Sequence, residues 1–444
     1  MNGRDNEMDA TVPTASSQDR GHIEQRPTPR LALLPAFAGY GIEIEYMIVN
    51  RATLDVQPIA DQLLTDPEGS PTNDVEHGNI GWSNELALHV LELKNIRPVP
   101  DMTTLVGAFQ DEVRTINDRL EALDACLMPG GVHPWMDPRR ETQLWPHDHA
   151  EIYRSFDRIF DCRRHGWSNL QSVHLNLPFA DDAEFARLHA AVRLVLPILP
   201  ALAASSPWVD GKATGFMDYR VEAYRKHQAR IPTSMGKGIP EPSRSPTEYR
   251  EHILVPMLNE ITSFDDVLGP DAGALSQEWV DARAAVPRFA RHAIEVRLLD
   301  VQESTTSNLA VAAATAALVR RLYDDMTDAQ LENPLPTDSL VTLLERCTRD
   351  AEHAIIDDEL YLSRLGLGGK PCAASKLWST LIDAFLADGL LDRTWLPALT
   401  VIRAHGPLAR RLSEALDGDP GRLRPVYARL CECLRDDAMF LATG

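Results

Sequence analysis

Polar residues dominate the chain up to about position 30, and the first apolar run begins at LALLPAFAGYGIEIEYMIV. Residues 1–30 supply too little apolar surface to offset the entropy of ordering, so the pattern predicts a disordered leader there. Within the apolar run, Ile42, Ile44 and Tyr46 alternate with Glu43 and Glu45. Period two of this kind predicts a strand with one apolar face and one carboxylate-bearing face. A further single strand is expected in GWSNELALHVLELKN, where Leu88, Val90, Glu92 and Lys94 share one parity and His89, Leu91 and Leu93 the other. The next segment instead repeats Leu105, Phe109, Val113, Ile116, Leu120 and Leu123 at intervals of three or four, which predicts an amphipathic helix covering the sheet.

Strand alternation returns twice. In SNLQSVHLNLPF, Val173, Leu175 and Leu177 oppose Ser172, His174 and Asn176; in HAIEVRLLDVQ, Ile294, Val296 and Leu298 oppose Glu295 and Arg297. Between them a helical stretch from about 183 to 204 follows the Asp181–Asp182 pair, either of which can cap it. The segment 208–250 is too long and too rich in Gly, Pro and cations for a routine connector, and reads as an active-site loop. Beyond LAVAAATAALVRRLYDDM the patterns are helical to the end. Strands separated by varied loops and covered by helices favour an α+β fold over a doubly wound one. The expected organisation is a leader over 1–30, a sheet-centred catalytic body over 31–330, and a helical C-terminal region over 331–444 packed on it.

Composition narrows the function classes. With 44% apolar and 25% charged residues in a chain of 444, the protein reads as an ordinary globular one. Its 65 acidic and 44 basic side chains give a net charge of -21, which argues against broad attraction to nucleic acid or anionic membranes while leaving room for a local basic pocket. The six cysteines have no spacing typical of a zinc module or disulfide framework, so reduced structural thiols are expected. The N-terminus has neither a signal-peptide core nor a membrane span, and cytoplasmic residence is the default, as is a homodimer.

The strongest chemical signal is Glu43-Ile44-Glu45. Two carboxylates on one face of a half-buried strand repel unless cations or donors neutralise them, and their oxygens suit a hard divalent ion such as Mg2+. An exposed strand face is the plain alternative. Glu85, Glu92, His174 and Glu295 occupy polar positions in or beside other strands, and gathered on one sheet they would form a metal and phosphate cradle. His174 is either a ligand, a supporting donor or a structural histidine. Arg297 shares a side with Glu295 and either pairs with it or binds phosphate. Lys212, Arg220, Arg225, Lys226, Arg230 and Lys237 make 208–250 locally basic, which either steers an anion into the cleft or forms a solvated loop. No serine elbow, H-E-x-x-H motif, P-loop or dinucleotide-binding glycine motif is present.

Taken in order, GIEIEYM, GWSNELALHVLELKN, SVHLNL and AIEVRLLDVQ resemble the glutamate-cysteine ligase family, in particular its bacterial carboxylate-amine ligase branch, over about residues 37–325. The resemblance implies a fold related to glutamine synthetase, a curved antiparallel sheet opening as an active-site funnel. It implies that Glu43, Glu45, Glu85, Glu92 and Glu295 hold Mg2+, for which Mn2+ can substitute, and that His174 lies near ATP and its metal. It makes Arg297 the group meeting phosphate or the reacting carboxylate. Arg220, in ATGFMDYR, is similar to the arginine of a family segment G-x-x-S-x-R that clamps substrate or nucleotide, with Lys237 a further ATP contact. Asp218 stands where relatives often have serine, so it either points away or changes substrate preference. The implied reaction is ATP-dependent amide formation through an acyl phosphate, between glutamate or a related amino acid and a small amine. Phosphotransfer from the same site, or nucleotide or metabolite binding without catalysis, are the alternatives. The tryptophans Trp82, Trp135, Trp145, Trp167 and Trp208 leave open an acceptor other than cysteine, with aromatic packing as the plain explanation of each.

Overall fold

Alternation along the diagnostic segments builds one large sheet, seen in a computed structural model that describes residues 33–442 apart from 272–274 and 276–279. The expected leader, 1–30, lies outside the described residues. In chain order the strands are β1 (Gly41–Asn50), β2 (Asp74–His77), β3 (Ile80–Asn84), β4 (Val90–Asn95), β5 (Ala125–Met128), β6 (Ser172–Pro178), β7 (Trp208–Val209), β8 (Lys212–Ala213), β9 (Ala285–Arg288), β10 (Ala293–Asp300), β11 (Ile355–Ile356) and β12 (Cys372–Ala373). Eight of them form the antiparallel sheet β2-β3-β4-β1-β6-β10-β9, with β5 joined to β1; β7-β8 and β11-β12 are separate two-stranded ribbons. The α+β class and the antiparallel sheet expected from the sequence are present.

One expectation changes. GWSNELALHVLELKN is a hairpin rather than one strand: β3 and β4 run antiparallel with Trp82 opposite Leu93 and Ser83 opposite Glu92, and residues 85–89 make the turn. Alternation continues through both arms, so period two alone does not reveal the reversal. The turn is held from outside, since Leu88 N donates to Gln143 O and Trp145 N to Leu86 O.

Register sorts the sheet into two faces. Ile44 opposite Leu93 and Ile42 opposite Leu175 lie on the buried apolar face, whereas Glu45 opposite Glu92 and Glu43 opposite His174 lie on the other. The helix Leu105–Glu121 covers the apolar face with Phe109, Val113, Ile116 and Leu120, all fully buried. Burying each such side chain stabilises by about 1.5–3 kcal/mol before entropy is counted. The Ala-rich helix Thr305–Asp324 is buried along most of its length, is capped by Ser304, and donates from Asn308 Nδ2 to the Tyr46 hydroxyl. Small alanines let this helix approach the helix Asp182–Val195 and the helix Leu396–His405 on its outer side.

Strand β10 departs from regular pairing at a bulge. Val296 faces Leu175 and Leu299 faces Val173, so three steps on β10 match two on β6. Before the bulge Glu295 shares the polar face with Asn176, and after it Asp300 shares that face with Ser172. The C-terminal helices tie back to this body. Gln110 Nε2 donates to Leu434 O at 3.2 Å and Arg435 O at 2.9 Å, and the buried Arg411 guanidinium pairs with buried Glu303. The described residues from Leu33 onward form one compact unit. No helix among the described residues is long and apolar enough to cross a membrane.

Candidate active site

The polar face of the sheet gathers its carboxylates around His174. Its Nδ1 lies 3.1 Å from Glu43 Oε2 and 3.9 Å from Glu295 Oε1, and its Nε2 lies 3.6 Å from Glu45 Oε1 and 2.9 Å from Ser172 Oγ. Burial alone would lower the imidazole, but the Glu43 contact and the charges of Glu45 and Glu295 outweigh it, so His174 is raised above its ordinary value. Ser172 also supports Glu45, donating to Oε2 from its backbone N at 2.7 Å and its hydroxyl at 3.1 Å. Asn176 Nδ2 donates to Glu43 Oε1 at 3.1 Å.

These side chains form two compact ligand groups, Glu43-His174-Glu295 and Glu45-Glu92-His174, each with ligand atoms all within 4.8 Å of one another. An ion about 2.1 Å from each ligand places opposite ligands about 4.2 Å apart, so the spacing and the mainly oxygen donors fit Mg2+ or Mn2+. The charge balance points the same way. Glu92 accepts from Ser83 Oγ at 2.7 Å and lies 3.4 Å from Lys94 Nζ, yet burial and the Glu43 charge still raise it. Glu85, half-buried in the β3–β4 turn, is pushed well above the carboxylate range by burial and by Glu45 and Glu92, and it stands outside both ligand groups.

Glu295 meets the opposite surroundings. Arg288 donates to it from Nε at 2.7 Å and from a terminal nitrogen at 3.1 Å, and Arg297 Nε donates to Oε1. Burial would raise this carboxyl, but the Arg297 and Arg288 charges hold it well below the usual range. Arg297 therefore pairs with Glu295 while its guanidinium still reaches the cavity.

Arg220 is buried at the cavity wall. Its Nε donates to Asp300 Oδ1 and a terminal nitrogen donates to Arg297 O at 3.2 Å. Asp300 is itself fixed by Ser205 N at 2.8 Å and Ser206 Oγ at 2.7 Å, and a β-carbon on Gly131 would sit only 2.6 Å from its carboxyl carbon. Asp218 caps the helix Tyr219–Tyr224 by accepting from Val221 N at 2.9 Å, and is absent from the cavity lining; of the two readings of that position, it points away.

Glu43, Glu45, Glu85, Glu92, His174, Glu295, Arg297 and Arg220 thus line one cavity of about 550 Å³. Lys237 is a correction: its ammonium pairs with Asp338 on the surface, and it does not line the cavity. The basic loop as a whole is also reassigned, because Arg225 pairs with Glu345, Lys226 with Glu222, and Arg230 donates to Ile159 O at 2.7 Å. Of the six cations singled out in 208–250, Arg220 alone lines the cavity. Sequence reasoning missed Arg288, Tyr153, Tyr224 and His227, which also line it. It noted Ser172 as a polar strand position without assigning it a role, although Ser172 shares the parity of His174.

The model of the family described as glutamate-cysteine ligase family 2 (GCS2) matches residues 40–363. An uncharacterized protein of Archaeoglobus fulgidus is 33% identical over 310 residues, covering 70% of this chain and 79% of that protein. A Bradyrhizobium diazoefficiens protein provisionally named glutamate–cysteine ligase 2 is 24% identical over 384 residues, covering 84% of this chain and 78% of its own. A Solibacter usitatus protein with the same provisional name is 27% identical over 219 residues, and there the match spans 50% of the relative.

Proposed function

This chain belongs to glutamate-cysteine ligase family 2, and from that premise we propose that it is an ATP-dependent carboxylate-amine ligase acting through an acyl phosphate, with glutamate or a related amino acid as the carboxylate. One observation carries the reading: carboxylates from β1, β4 and β10 converge on His174 of β6 beside Arg297. We read the sheet as the floor of a funnel of the glutamine synthetase kind.

Bound Mg2+ would neutralise the phosphate oxygens of ATP, with Glu43, Glu295 and His174 as one seat and Glu45, Glu92 and His174 as the other. A substrate carboxylate oxygen attacks the γ-phosphorus, the bond to the β–γ bridging oxygen breaks, and ADP leaves. The amine nitrogen then attacks the acyl carbon, the carbon–oxygen bond to phosphate breaks, and phosphate departs with the electron pair while the nitrogen gives up a proton. Arg297, oriented through Glu295, stabilises the anionic oxygens, and Arg220 stiffens that arrangement through Asp300 and Arg297 O. Ser172 and Asn176 hold Glu45 and Glu43 in place before substrate arrives. The segment 208–250 contributes Arg220, Tyr224, His227 and Gln228 to the cavity, which supports a role in shielding the acyl phosphate from water.

The test is an assay of the purified chain with ATP, Mg2+ and mixtures of small carboxylates and amines, reading ADP and condensed products by mass spectrometry. An amide that requires both partners supports the ligase. ADP with a stable phosphorylated product and no amide would replace it with phosphotransfer, and nucleotide binding without turnover would replace it with a binding protein.

A further inference from the structure

The ligase reading accounts for the charged floor of the cavity and leaves a second part of its lining unused. Tyr153 and Phe156 come from the helix Ala150–Phe160, Trp167 from the short helix His165–Ser168, and Leu86 from the β3–β4 turn. They join His227 in a wall of rings and apolar carbons within the same 550 Å³ space.

This wall is rigidly built. The Trp167 ring centroid lies 5.2 Å from Phe156, 5.3 Å from Phe160 and 4.6 Å from His227, and its Nε1 donates to His227 O at 3.1 Å. A β-carbon on Gly166 would sit 2.8 Å from His227 Cβ, so only glycine allows this approach. Tyr153 is anchored by Asn84 Nδ2, which donates to its hydroxyl at 2.9 Å. Burial together with the Glu85 and Glu92 charges raises the Tyr153 phenol, which puts this ring beside the carboxylate side of the cavity. Gln228, 2% exposed, also lines the cavity beside His227.

We propose that this wall is the seat of the acceptor amine, and that the amine carries an apolar, ring-sized body. The inference rests on the ligase reading for the word acceptor. Its physical basis is the pairing of two unlike surfaces. The carboxylates of the cavity attract a nitrogen bearing N–H donors, while fixed aromatic surface gains most when apolar carbon displaces its water. A small polar amine satisfies the first surface and leaves the second wet. A phenyl-sized group seated there is expected to improve affinity on the order of a hundredfold over the same amine without it.

The experiment titrates the full chain with 2-phenylethylamine and with ethylamine by calorimetry, in the wild type and in Trp167→Ala and Tyr153→Ser, with thermal melts as the check on folding. The expected result is a preference for 2-phenylethylamine of tenfold or more that shrinks toward one in both variants; if Trp167→Ala does not fold, Tyr153→Ser decides alone. Equal binding of the two amines would overturn the proposal, as would a preference unchanged in the folded variants. Displacement of 2-phenylethylamine by adenosine would also overturn it, by assigning the wall to the nucleotide base. The same amines in the amide assay separate this inference from its premise. Amide formed equally from both sinks the inference and spares the ligase; a wall-dependent preference in binding, with no amide from any carboxylate, sinks the ligase and leaves the seat.

Discussion

Glu295 and Glu85 line the same cavity, yet their surroundings drive their carboxyl groups in opposite directions. Glu295 on β10 is gripped by Arg288 and Arg297 and held well below the ordinary range; Glu85 in the β3–β4 turn faces Glu45 and Glu92 and is pushed well above it. The difference separates two kinds of task within one space. The arginine side is already neutralised by the protein and holds its groups in fixed orientation. The acidic side is left short of positive charge, and that deficit is what a divalent ion can fill.

The comparison breaks most completely at Glu43, which touches His174 and lies in a ligand group with Glu295. Glu43→Gln is expected to reduce ADP release at saturating Mg2+ by about a thousandfold with an unchanged circular dichroism spectrum. Normal turnover would remove Glu43 and its ligand group from the chemistry. On the arginine side, Arg297→Ala is expected to lower kcat about a hundredfold, with Arg297→Lys recovering only part because an ammonium lacks the planar fork. Unchanged steady-state kinetics would show that Arg297 serves only Glu295.

Raised carboxyls must lose protons before they can meet a metal. Mg2+ binding is therefore expected to release protons and to tighten with rising pH by at most about tenfold per unit for each proton released, above the ordinary carboxylate range, where Glu85 and Glu92 still hold protons. Calorimetry in two buffers of different ionisation enthalpy reads the proton count, and Glu85→Gln should lower it. Pure buffer-independence would contradict the raised state of both groups.

Stability sharpens the contrast further. A raised folded pKa makes a contribution that is present at low pH and lost as pH rises through the folded value, so Glu85 costs the metal-free chain stability once pH climbs above the ordinary carboxylate range. Glu85→Gln should then stabilise it by about 1 kcal/mol, a melting shift of about 1–2 °C at this size. Glu295 has the reverse sign: its contribution is present above the unfolded carboxyl value and lost as pH falls through the lowered folded one, so Glu295→Gln should destabilise at neutral pH. Smallest of all, Lys237→Ala removes an exposed ion pair with Asp338 and should leave the KM for ATP unchanged and stability within about 0.5 kcal/mol.

Much of this site was legible because strands announce their faces. Glu43, Glu45, His174, Glu295 and Arg297 each sit on the polar parity of an otherwise aliphatic strand, and register across β1, β6 and β10 brings those parities together. The helices Leu105–Glu121 and Thr305–Asp324 were legible for the same kind of reason, through their own repeats. What failed was whatever depended on partners distant in sequence. The cations of 208–250 looked available because Glu345, Asp338 and the Ile159 carbonyl lie far along the chain from them. Tyr153 and Phe156 belong to a helical segment, where rings are ordinarily core, and Arg288 falls on a short strand with too few residues to show a period.

The extra residue in β10 has a consequence for how this strand can vary. Up to Val296 the odd positions carry the polar face of the strand; the added step gives that face to Asp300, which is buried against Arg220, and puts Leu299 on the core face. Removing one residue there would give regular pairing, with Leu299 still opposite Val173 and Asp300 still opposite Ser172. What a single deletion there would cost is the bulge itself, not the sorting of the later residues between the two faces of the sheet.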